Sequence, residues 1–259
     1  MFRAGCVVRL EGVTKSFLID RHRTTAFSTL RERLSWQNAK KRSFDALREI
    51  DLTVIEKDRI GIVGSNGAGK STLLKIVAGL YAPTSGRVFT QKEISLVAGH
   101  GVGMVADLTV KENVFLYGAI YGLTRKTLSE TFHEIIGWAE LQGFEVAKFK
   151  TLSAGMKTRL AFSVIRHIDP DIYLWDEALS AGDKNFHAKC QAVFETHKRG
   201  GKTFLVASHD LEFVDKFCEK TLWLHRGQVR AFGGTKDVLK QYVQYEPSSD
   251  SPKTASGVL

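Results

Sequence analysis

The spacing of apolar residues changes along this 259-residue chain, and each change predicts a different kind of element. Apolar and polar residues alternate over residues 6–17 and again over 50–55, which is the pattern of half-buried strands. From about residue 59 to 98 the pattern predicts a strand, a helix from Thr72 to about Gly79, and further strands after the turn at 83–86.

A helical pattern occupies about residues 109–167. It begins with the capping-box sequence Thr109-Val110-Lys111-Glu112, and Gly122 and Gly143 predict breaks within it. Apolar strand patterns then return, at Ile172–Trp175, Thr203–Ala207 and Thr221–His225. This order predicts an α/β core interrupted by a helical insertion.

A glycine-rich turn joins the first core strand, Ile60–Val63, to its helix. The turn reads Gly64-Ser65-Asn66-Gly67-Ala68-Gly69-Lys70-Ser71. Its glycines can adopt backbone angles closed to other residues, so several N–H groups can point at one place, and the following helix N-terminus favours anions. Lys70 adds a mobile cation for the β- and γ-phosphates, and the Ser71 hydroxyl is placed to bind Mg²⁺.

Chemically useful side chains follow two other predicted strands. Asp176 and Glu177 come directly after the strand at 172–175, at the end where ligands bind in open α/β sheets. We expect Asp176 to hold Mg²⁺ and Glu177 to accept a proton from the attacking water. His209 follows the strand at 203–207, within reach of a γ-phosphate.

A second anion-binding helix end is predicted at Leu152-Ser153-Ala154-Gly155-Met156, before a helix that starts near Lys157. The Ser153 hydroxyl and the first N–H groups of that helix would attract phosphate. A chain with two phosphate-binding helix ends is expected to close on a second copy of itself.

Composition narrows the class of protein. No apolar run approaches the roughly 18 residues that span a bilayer, and the N-terminus lacks a signal-peptide stretch, so any membrane role is expected to depend on a partner. The three scattered cysteines predict neither a zinc site nor a disulfide framework and fit a reducing cytoplasm. The net charge of +9 is compatible with nucleic acid, anionic lipid or nucleotide binding, and does not choose among them.

Basic residues are densest before the phosphate loop, where residues 21–42 contain Glu32 as the one acidic residue. Phe27, Leu30 and Leu34 recur there at helical spacing. Two interpretations stand: a basic amphipathic helix from about Thr24 to Phe44 that lies against an anionic surface or partner helix, or a solvated surface insertion. The polar tail at 246–259 is predicted to be disordered.

In order and spacing these motifs resemble the ATPase subunit of ABC transporters, over residues from about 7 to 245. Gly64–Ser71 is similar to Walker A, Leu152–Met156 to the signature motif, and Ile172–Asp176 to Walker B. The resemblance implies a P-loop NTPase core of ABC type in residues 1–245, with an antiparallel β subdomain, a helical subdomain at about 109–167 and a basic insertion at about 21–44.

The resemblance also assigns site residues for ATP and Mg²⁺. It implies Glu177 as the catalytic base, His209 as the switch histidine, Ser180–Asp183 as the D-loop, and Phe17 as the aromatic that stacks on adenine, with Phe44 and a plain core role as rivals. The catalytic set is Lys70, Glu177 and His209. The nucleotide-binding set is Phe17, Gly64, Ser65, Asn66, Gly67, Ala68, Gly69, Lys70, Ser71, Thr72, Ser153, Gly155 and Asp183, and the metal set is Ser71, Asp176 and His100.

His100 enters because of a departure from the family pattern. The glutamine with which most ABC ATPases contact Mg²⁺ and the permease is absent from residues 97–103. Counting back from Thr109 puts His100 near its place. A second departure is Ala154, which replaces the usual glycine of the signature motif, and the phosphate contact is expected to survive it.

Finer details resemble the subfamily that exports lipid-linked polysaccharides: capsule, O-antigen, teichoic acid and galactan. The run at 176–183 with Gly182, the run at 153–162 and the basic insertion carry this resemblance. It implies a homodimer that sandwiches two MgATP and drives an integral membrane permease from the cytoplasmic face of the plasma membrane. A lipid-linked glycan would be the exported substrate, and nucleic acid is not an expected partner.

Two other classes of ABC ATPase are alternatives to this one. The ATPase subunit of an importer or small-molecule exporter would have a glutamine near position 100 and no basic insertion. A soluble ABC ATPase of DNA repair or translation would carry a long coiled coil or two cassettes, and this sequence has neither.

Overall fold

The computed structural model describes residues 5–19, 42–98, 103–176 and 184–245. Its strands are β1 (Cys6–Ile19), β2 (Arg42–Ile55), β3 (Arg59–Val63), β4 (Ser85–Thr90), β5 (Ile94–Ala98), β6 (Ile172–Asp176), β7 (Thr203–Ala207), β8 (Lys220–His225) and β9 (Gln228–Gly234). Its α-helices are α1 (Lys70–Val77), α2 (Val110–Ile120), α3 (Arg125–Ala139), α4 (Ala154–Ile165), α5 (Lys184–Arg199), α6 (Leu211–Phe217) and α7 (Thr235–Gln244). A 3₁₀ turn at Phe149–Thr151 precedes α4.

The strands form two sheets. The smaller one is antiparallel, in the order β2-β1-β4, and the larger one has the order β5-β6-β7-β3-β8-β9. Strands β5, β6, β7, β3 and β8 are parallel, and β9 closes the edge as an antiparallel neighbour of β8. This architecture confirms the predicted α/β core with an antiparallel β subdomain.

The central strands β3, β6, β7 and β8 of the large sheet are buried on both faces, which explains why they read as continuous apolar runs. In β6, Ile172 and Leu174 pack with the small sheet and α1, while Tyr173 and Trp175 pack with the helices on the other face. Because side chains alternate along a strand, the next residue, Asp176, continues on the face of α1. The strand pattern therefore directs this carboxylate to the helix that follows the glycine-rich loop.

Helices α2, α3 and α4 pack together and form the predicted helical region. The capping box is present: Thr109 Oγ1 accepts the Glu112 N–H, and the Glu112 carboxylate accepts the Thr109 N–H. The backbone and hydroxyl donors of Thr109 lower the pKa of Glu112. Within the described residues no helix combines the length and apolarity needed to cross a bilayer, and the longest, α5, has 16 residues.

Strand β2 is longer than the predicted strand at 50–55, and its first residues, 42–44, fall within the range predicted for the basic insertion. The reason is a bulge. Val13 pairs with Ile50 and Lys15 with Leu47, so β2 uses one more residue than β1 over this interval, and Glu49 takes a left-handed φ of 47°. The extra residue breaks the alternation on which the sequence prediction depended.

Several boundaries also differ from the predicted ones. Helix α1 begins at Lys70 rather than Thr72, and α4 begins at Ala154 rather than near Lys157. Strand β9 and helix α7 were not predicted from the sequence. The residues of β9 alternate between half-buried and exposed, which is a weak apolar signal for a strand.

A buried amide fixes the loop that leads into α2. Asn113 is fully buried; its Oδ1 accepts the Val105 N–H at 2.7 Å, and its Nδ2 donates to the carbonyls of Val105 and Thr109, both at 3.0 Å. These three hydrogen bonds form one connected network, so the loop and the helix start are held as a unit.

We predict that Asn113→Ala lowers the free energy of unfolding by about 2–4 kcal/mol, because a buried N–H and buried carbonyls lose their partners. Urea unfolding followed by circular dichroism measures this. Ser129→Ala is the matched control, since Ser129 bonds the Arg125 carbonyl at 2.8 Å but is exposed, and its effect should stay within about 0.5 kcal/mol. Equal losses in the two variants would contradict the role given to Asn113.

Candidate phosphate-binding site

The carboxyl ends of β3, β6 and β7 meet at one edge of the large sheet. They are neighbours in parallel register, with Ile62 of β3 opposite Ala207 of β7, and Ala207 opposite Asp176 of β6. Each strand is followed or ended by a predicted site residue: the glycine-rich loop after β3, Asp176 in β6 and His209 after β7. The sheet order therefore assembles side chains that are far apart in sequence.

The glycine-rich loop is tightly enclosed. Gly69, at the N-cap of α1, has φ 107° and ψ 4°, and a Cβ there would lie 2.6 Å from the Ala46 carbonyl oxygen. Gly67 has φ 77°, but a Cβ there would meet nothing within 4 Å. Gly69 is thus required by both backbone angle and space, whereas Gly67 is required by backbone angle alone.

Lys70 lies inside the loop. Only 5% of the residue is exposed, and its Nζ donates to the carbonyl oxygens of Gly64 at 2.9 Å and Ser65 at 3.3 Å. Nζ also lies 3.3 Å from Nε2 of His209. An ammonium donating to that nitrogen requires the neutral tautomer that carries its proton on Nδ1. The structure therefore brings two of the three predicted catalytic residues into contact.

The first pair of predicted metal ligands also meets. Ser71 Oγ donates to Asp176 Oδ1 at 2.9 Å, because α1 starts beside the end of β6. A hydroxyl and a carboxylate are hard oxygen donors of the kind Mg²⁺ takes, and Mg²⁺ typically completes its shell with phosphate oxygens and water. In the described ranges no group of three or more His, Cys, Asp or Glu could hold a metal ion. The residues present fit an ion that arrives with a phosphate ligand.

A hairpin supports the loop from behind, and the sequence did not reveal it. In the turn between β8 and β9, the Gly227 N–H donates to the Ala68 carbonyl at 3.1 Å, and the Gly227 carbonyl accepts the Arg48 N–H at 2.7 Å. A Cβ on Gly227 would lie 2.8 Å from the Ala46 carbonyl oxygen. The Arg226-Gly227 pair in this turn was the available signal, since both residues have positive φ.

Ser153 occupies a different part of the molecule, at the N-cap of α4. Its Oγ accepts the Met156 N–H at 3.2 Å, and the residue is exposed. Helix α4 packs on α2 and α3, and Gly155 in its first turn has open space where a Cβ would stand. The second predicted anion site is therefore a surface of the helical region.

Phe17 belongs to an aromatic cluster with Phe44 and Tyr81. The Phe17 and Phe44 rings stack at 5.7 Å with 26° between their planes, and Tyr81 meets Phe17 edge-on at 5.7 Å. Lys15 Nζ lies 5.1 Å from the Phe17 ring centroid. Phe44 is 51% exposed and Phe17 half-buried, so the cluster is a surface feature and not core packing. Tyr81 was not singled out from the sequence.

Other predicted site residues lie outside the described residues: Glu177, Asp183 with the rest of Ser180–Asp183, and His100. Most of the basic insertion and the tail at 246–259 lie outside them as well. The assignments of these residues stay predictions.

A P-loop after a central parallel strand, with a lysine inside it and a serine bonded to a strand-end aspartate, defines a nucleoside-triphosphate-binding protein. The family model for ABC transporters matches residues 47–180. The chain belongs to the ABC transporter family.

Relatives give the same assignment. The chain is 40% identical to the O-antigen export system ATP-binding protein RfbB of Myxococcus xanthus over 243 residues. The aligned region covers 90% of this chain and 54% of that protein. It is 36% identical to the teichoic acids export ATP-binding protein TagH of Shouchella clausii, over 91% of this chain and 65% of that protein. It is 33% identical to the O-antigen export system ATP-binding protein RfbB of Klebsiella pneumoniae, over 92% of this chain and 98% of that protein. The match therefore spans about half of the Myxococcus protein but nearly all of the Klebsiella protein.

Solved structures show the same fold. The dimeric ATP-binding cassette MJ0796 bound to ADP and Pi superposes with a TM-score of 0.70 at 24% identity, covering 88% of this chain and 98% of that one. A structure described as the ATP-binding subunit of an ABC transporter gives 0.70 at 19% identity, with 92% and 93% covered.

We predict that Gly69→Ala abolishes binding of a fluorescent ATP analogue, because the new methyl group would displace the loop from the Ala46 carbonyl. Gly67→Ala is the matched control. Its left-handed backbone conformation would cost a similar free energy, about 1–2 kcal/mol, but the new methyl group would meet no neighbouring atom. It should fold and keep measurable affinity in the same titration. Equal affinity for both variants would show that the enclosure of Gly69 does not shape the site.

Proposed function

We propose that this chain is the ATP-binding and ATP-hydrolysing subunit of an ABC transporter that exports a lipid-linked polysaccharide across the cytoplasmic membrane. The observation that carries the proposal is the convergence of Lys70, Ser71, Asp176 and His209 at one sheet edge. The glycan class, of capsule, O-antigen, teichoic acid or galactan type, is supported by the names of the relatives, which are O-antigen and teichoic acid export proteins.

The loop at Gly64–Ser71 would bind the phosphates. Lys70 would exchange its carbonyl contacts for oxygens of the β- and γ-phosphates, and the start of α1 would add its dipole. Ser71 and Asp176 would hold Mg²⁺, which when bound offsets negative charge on the phosphates. The position of His209 beside Lys70 supports contact with the γ-phosphate.

Glu177, which directly follows Asp176, is proposed as the general base. It would orient a water molecule and take its proton as the water oxygen attacks the γ-phosphorus and the bond to the β-phosphate oxygen breaks. ADP and inorganic phosphate are the products. The place of Glu177 in the sequence supports this role, because the preceding residue, Asp176, lies at the phosphate loop.

The complete site would need two copies of the chain. Ser153 and Gly155 at the exposed start of α4 would contact the γ-phosphate bound to the loop of the second copy, with Asp183 at the same interface. Closure of this homodimer would drive a membrane permease on the cytoplasmic side. His100 is proposed as the residue in place of the family glutamine, and the basic insertion as a contact with the permease, lipid headgroups or the glycan pyrophosphate.

We predict that Glu177→Gln slows ATP hydrolysis by about 10²–10⁴-fold, the usual contribution of a general base, while nucleotide affinity stays within a few-fold. Phosphate release measures the rate, and size-exclusion chromatography with ATP should show a trapped dimer. Near-normal turnover by this variant would remove Glu177 from the mechanism and return the role of base to another group.

The export step has its own readout. In cells that lack the chromosomal copy, the unaltered chain should restore surface glycan, and the Glu177→Gln chain should leave lipid-linked glycan on the cytoplasmic side. Restoration by the slow variant, or no glycan defect in the deletion strain, would contradict glycan export while leaving ATP hydrolysis in place.

The aromatic cluster of Phe17, Phe44 and Tyr81 is proposed to receive the adenine base. Its rings are exposed or half-buried and already stacked, and a base can extend such a stack without hydrogen bonds that read its identity. The greater exposure of Phe44 favours its ring as the contacting face, with Phe17 beneath it.

We predict that Phe17→Ala and Phe44→Ala each weaken ATP binding by about 5- to 100-fold, the usual effect of losing one base-stacking ring. Calorimetric affinity for inorganic tripolyphosphate, which has no base, should not change. Phe232→Ala, which alters a 43% exposed phenylalanine on β9, is the control and should affect neither ligand. A parallel loss for ATP and tripolyphosphate would indicate damage to the loop instead of a base site.

A further inference from the structure

One carboxylate lies where three helices meet. Glu140 is the C-cap of α3, with left-handed backbone angles of φ 59° and ψ 44°. A residue with a Cβ adopts this conformation at a cost, and glycine is the usual choice at such a helix end. A glutamate there therefore needs a compensating interaction of its side chain.

The two carboxylate oxygens of Glu140 bind cations from two different helices. Oε2 pairs with Arg159 Nη1 of α4 at 2.8 Å, and Oε1 pairs with Lys189 Nζ of α5 at 2.6 Å. Lys189 Nζ also lies 5.7 Å from the ring centroid of Trp138, in the last turn of α3. The end of α3 is thus a junction between α4 and α5.

Aromatic rings fill the space under this junction. Trp138 stacks on Phe162 of α4 at 5.5 Å and meets Phe186 of α5 edge-on at 5.6 Å. Phe162 also contacts Trp175, the residue before Asp176, at 5.5 Å. Ring contacts contribute buried area and favour stacked or edge-on geometries, and paired charges further fix the register of the elements that carry them.

The N-termini of the two helices joined by Glu140 adjoin residues that act in the proposed function, on which this inference rests. Helix α4 begins directly after its N-cap Ser153, which would contact the nucleotide on the second copy. Helix α5 starts at Lys184, directly after the segment with Glu177 and Asp183, which would act on the nucleotide of its own copy. A fixed angle between α4 and α5 would therefore relate the two nucleotide sites of the dimer.

We propose that Glu140 is a positioning residue that fixes α4 relative to α5, so that the signature end and the Glu177–Asp183 segment reach their working positions together. In this role Glu140 would contact neither the nucleotide nor the attacking water molecule. Its loss should lower the rate of hydrolysis in the dimer and spare nucleotide affinity, since affinity is set by the loop at 64–71.

The test compares Glu140→Gln and Lys189→Gln with Glu134→Gln. Glu134 is a close match: it also lies on α3, pairs with Arg166 at the end of α4 at 2.9 Å, and its side chain is 54% exposed against 53% for Glu140. Its ion pair joins α3 to the end of α4 and does not include Lys189 of α5. The comparison therefore isolates the connection to α5.

We expect Glu140→Gln and Lys189→Gln each to lower kcat by about 3- to 10-fold, as for loss of a partly exposed ion pair that acts in the working geometry. KM and the affinity for the fluorescent ATP analogue should stay within about two-fold. The double variant should be no slower than the slower single one, because both remove the same connection. Glu134→Gln should keep kcat within about two-fold, with unfolding midpoints of all variants within a few degrees.

Equal rates for Glu140→Gln and Glu134→Gln, or a fall in affinity that accounts for the slower rate, would overturn the positioning role. Additive losses in the double variant would also overturn it, because they would assign the two residues independent effects. If the unaltered chain neither hydrolyses ATP nor dimerises with it, the proposed function fails and this inference fails with it. If the unaltered chain hydrolyses ATP and the Glu140 variants have the same kcat, the inference is overturned and the proposed function stands.

Discussion

The site depends on burying one ammonium group inside a loop of backbone. Lys70 has little contact with solvent, so its charge is stabilised by the carbonyls of Gly64 and Ser65, which must point inward to reach it. The same curvature turns the loop N–H groups toward the place where phosphate oxygens would sit. A loop that presents carbonyls to a lysine and N–H groups to an anion requires positive φ angles, and this is why glycines recur in it.

The rest of the fold keeps that loop in place. Ala46 of the small sheet lies against Gly69, and the hairpin between β8 and β9 bonds the Ala68 carbonyl through Gly227. Segments of both sheets therefore contact this turn, and they also contact each other. A loop confined in this way loses little further entropy when a ligand binds, so more of the interaction energy is available for affinity.

How far the sequence predicted the structure differs by element, for physical reasons. The parallel strands and the phosphate loop were predictable because burial on both faces gives unbroken apolar runs, and because a glycine-lysine-serine turn has few alternative uses. The first half of β2 was not, since the bulge at Glu49 shifts its periodicity. Ser71 and Asp176 were predicted as ligands of one metal ion from their positions after two core strands, and they lie in contact. The aromatic cluster was not predicted, because Phe17, Phe44 and Tyr81 come together only through the pairing of β1 with β2 and the turn after α1.

The candidate phosphate-binding residues lie in two places, the edge of the large sheet and the helical region. The sheet edge carries the lysine, serine, aspartate and histidine, whereas Ser153 lies at the exposed start of α4, in the helical region. In the described residues these parts are joined through the rings of Phe162, Trp175 and Phe194, whose centroids lie 4.4–5.8 Å apart. These ring contacts are compatible with small sliding shifts between packed elements, and the ion pairs of Glu140 with Arg159 and Lys189 lie at their rim. In the proposed dimer, where the start of α4 would reach a nucleotide held by the sheet of the second copy, those ion pairs would set the position of that start.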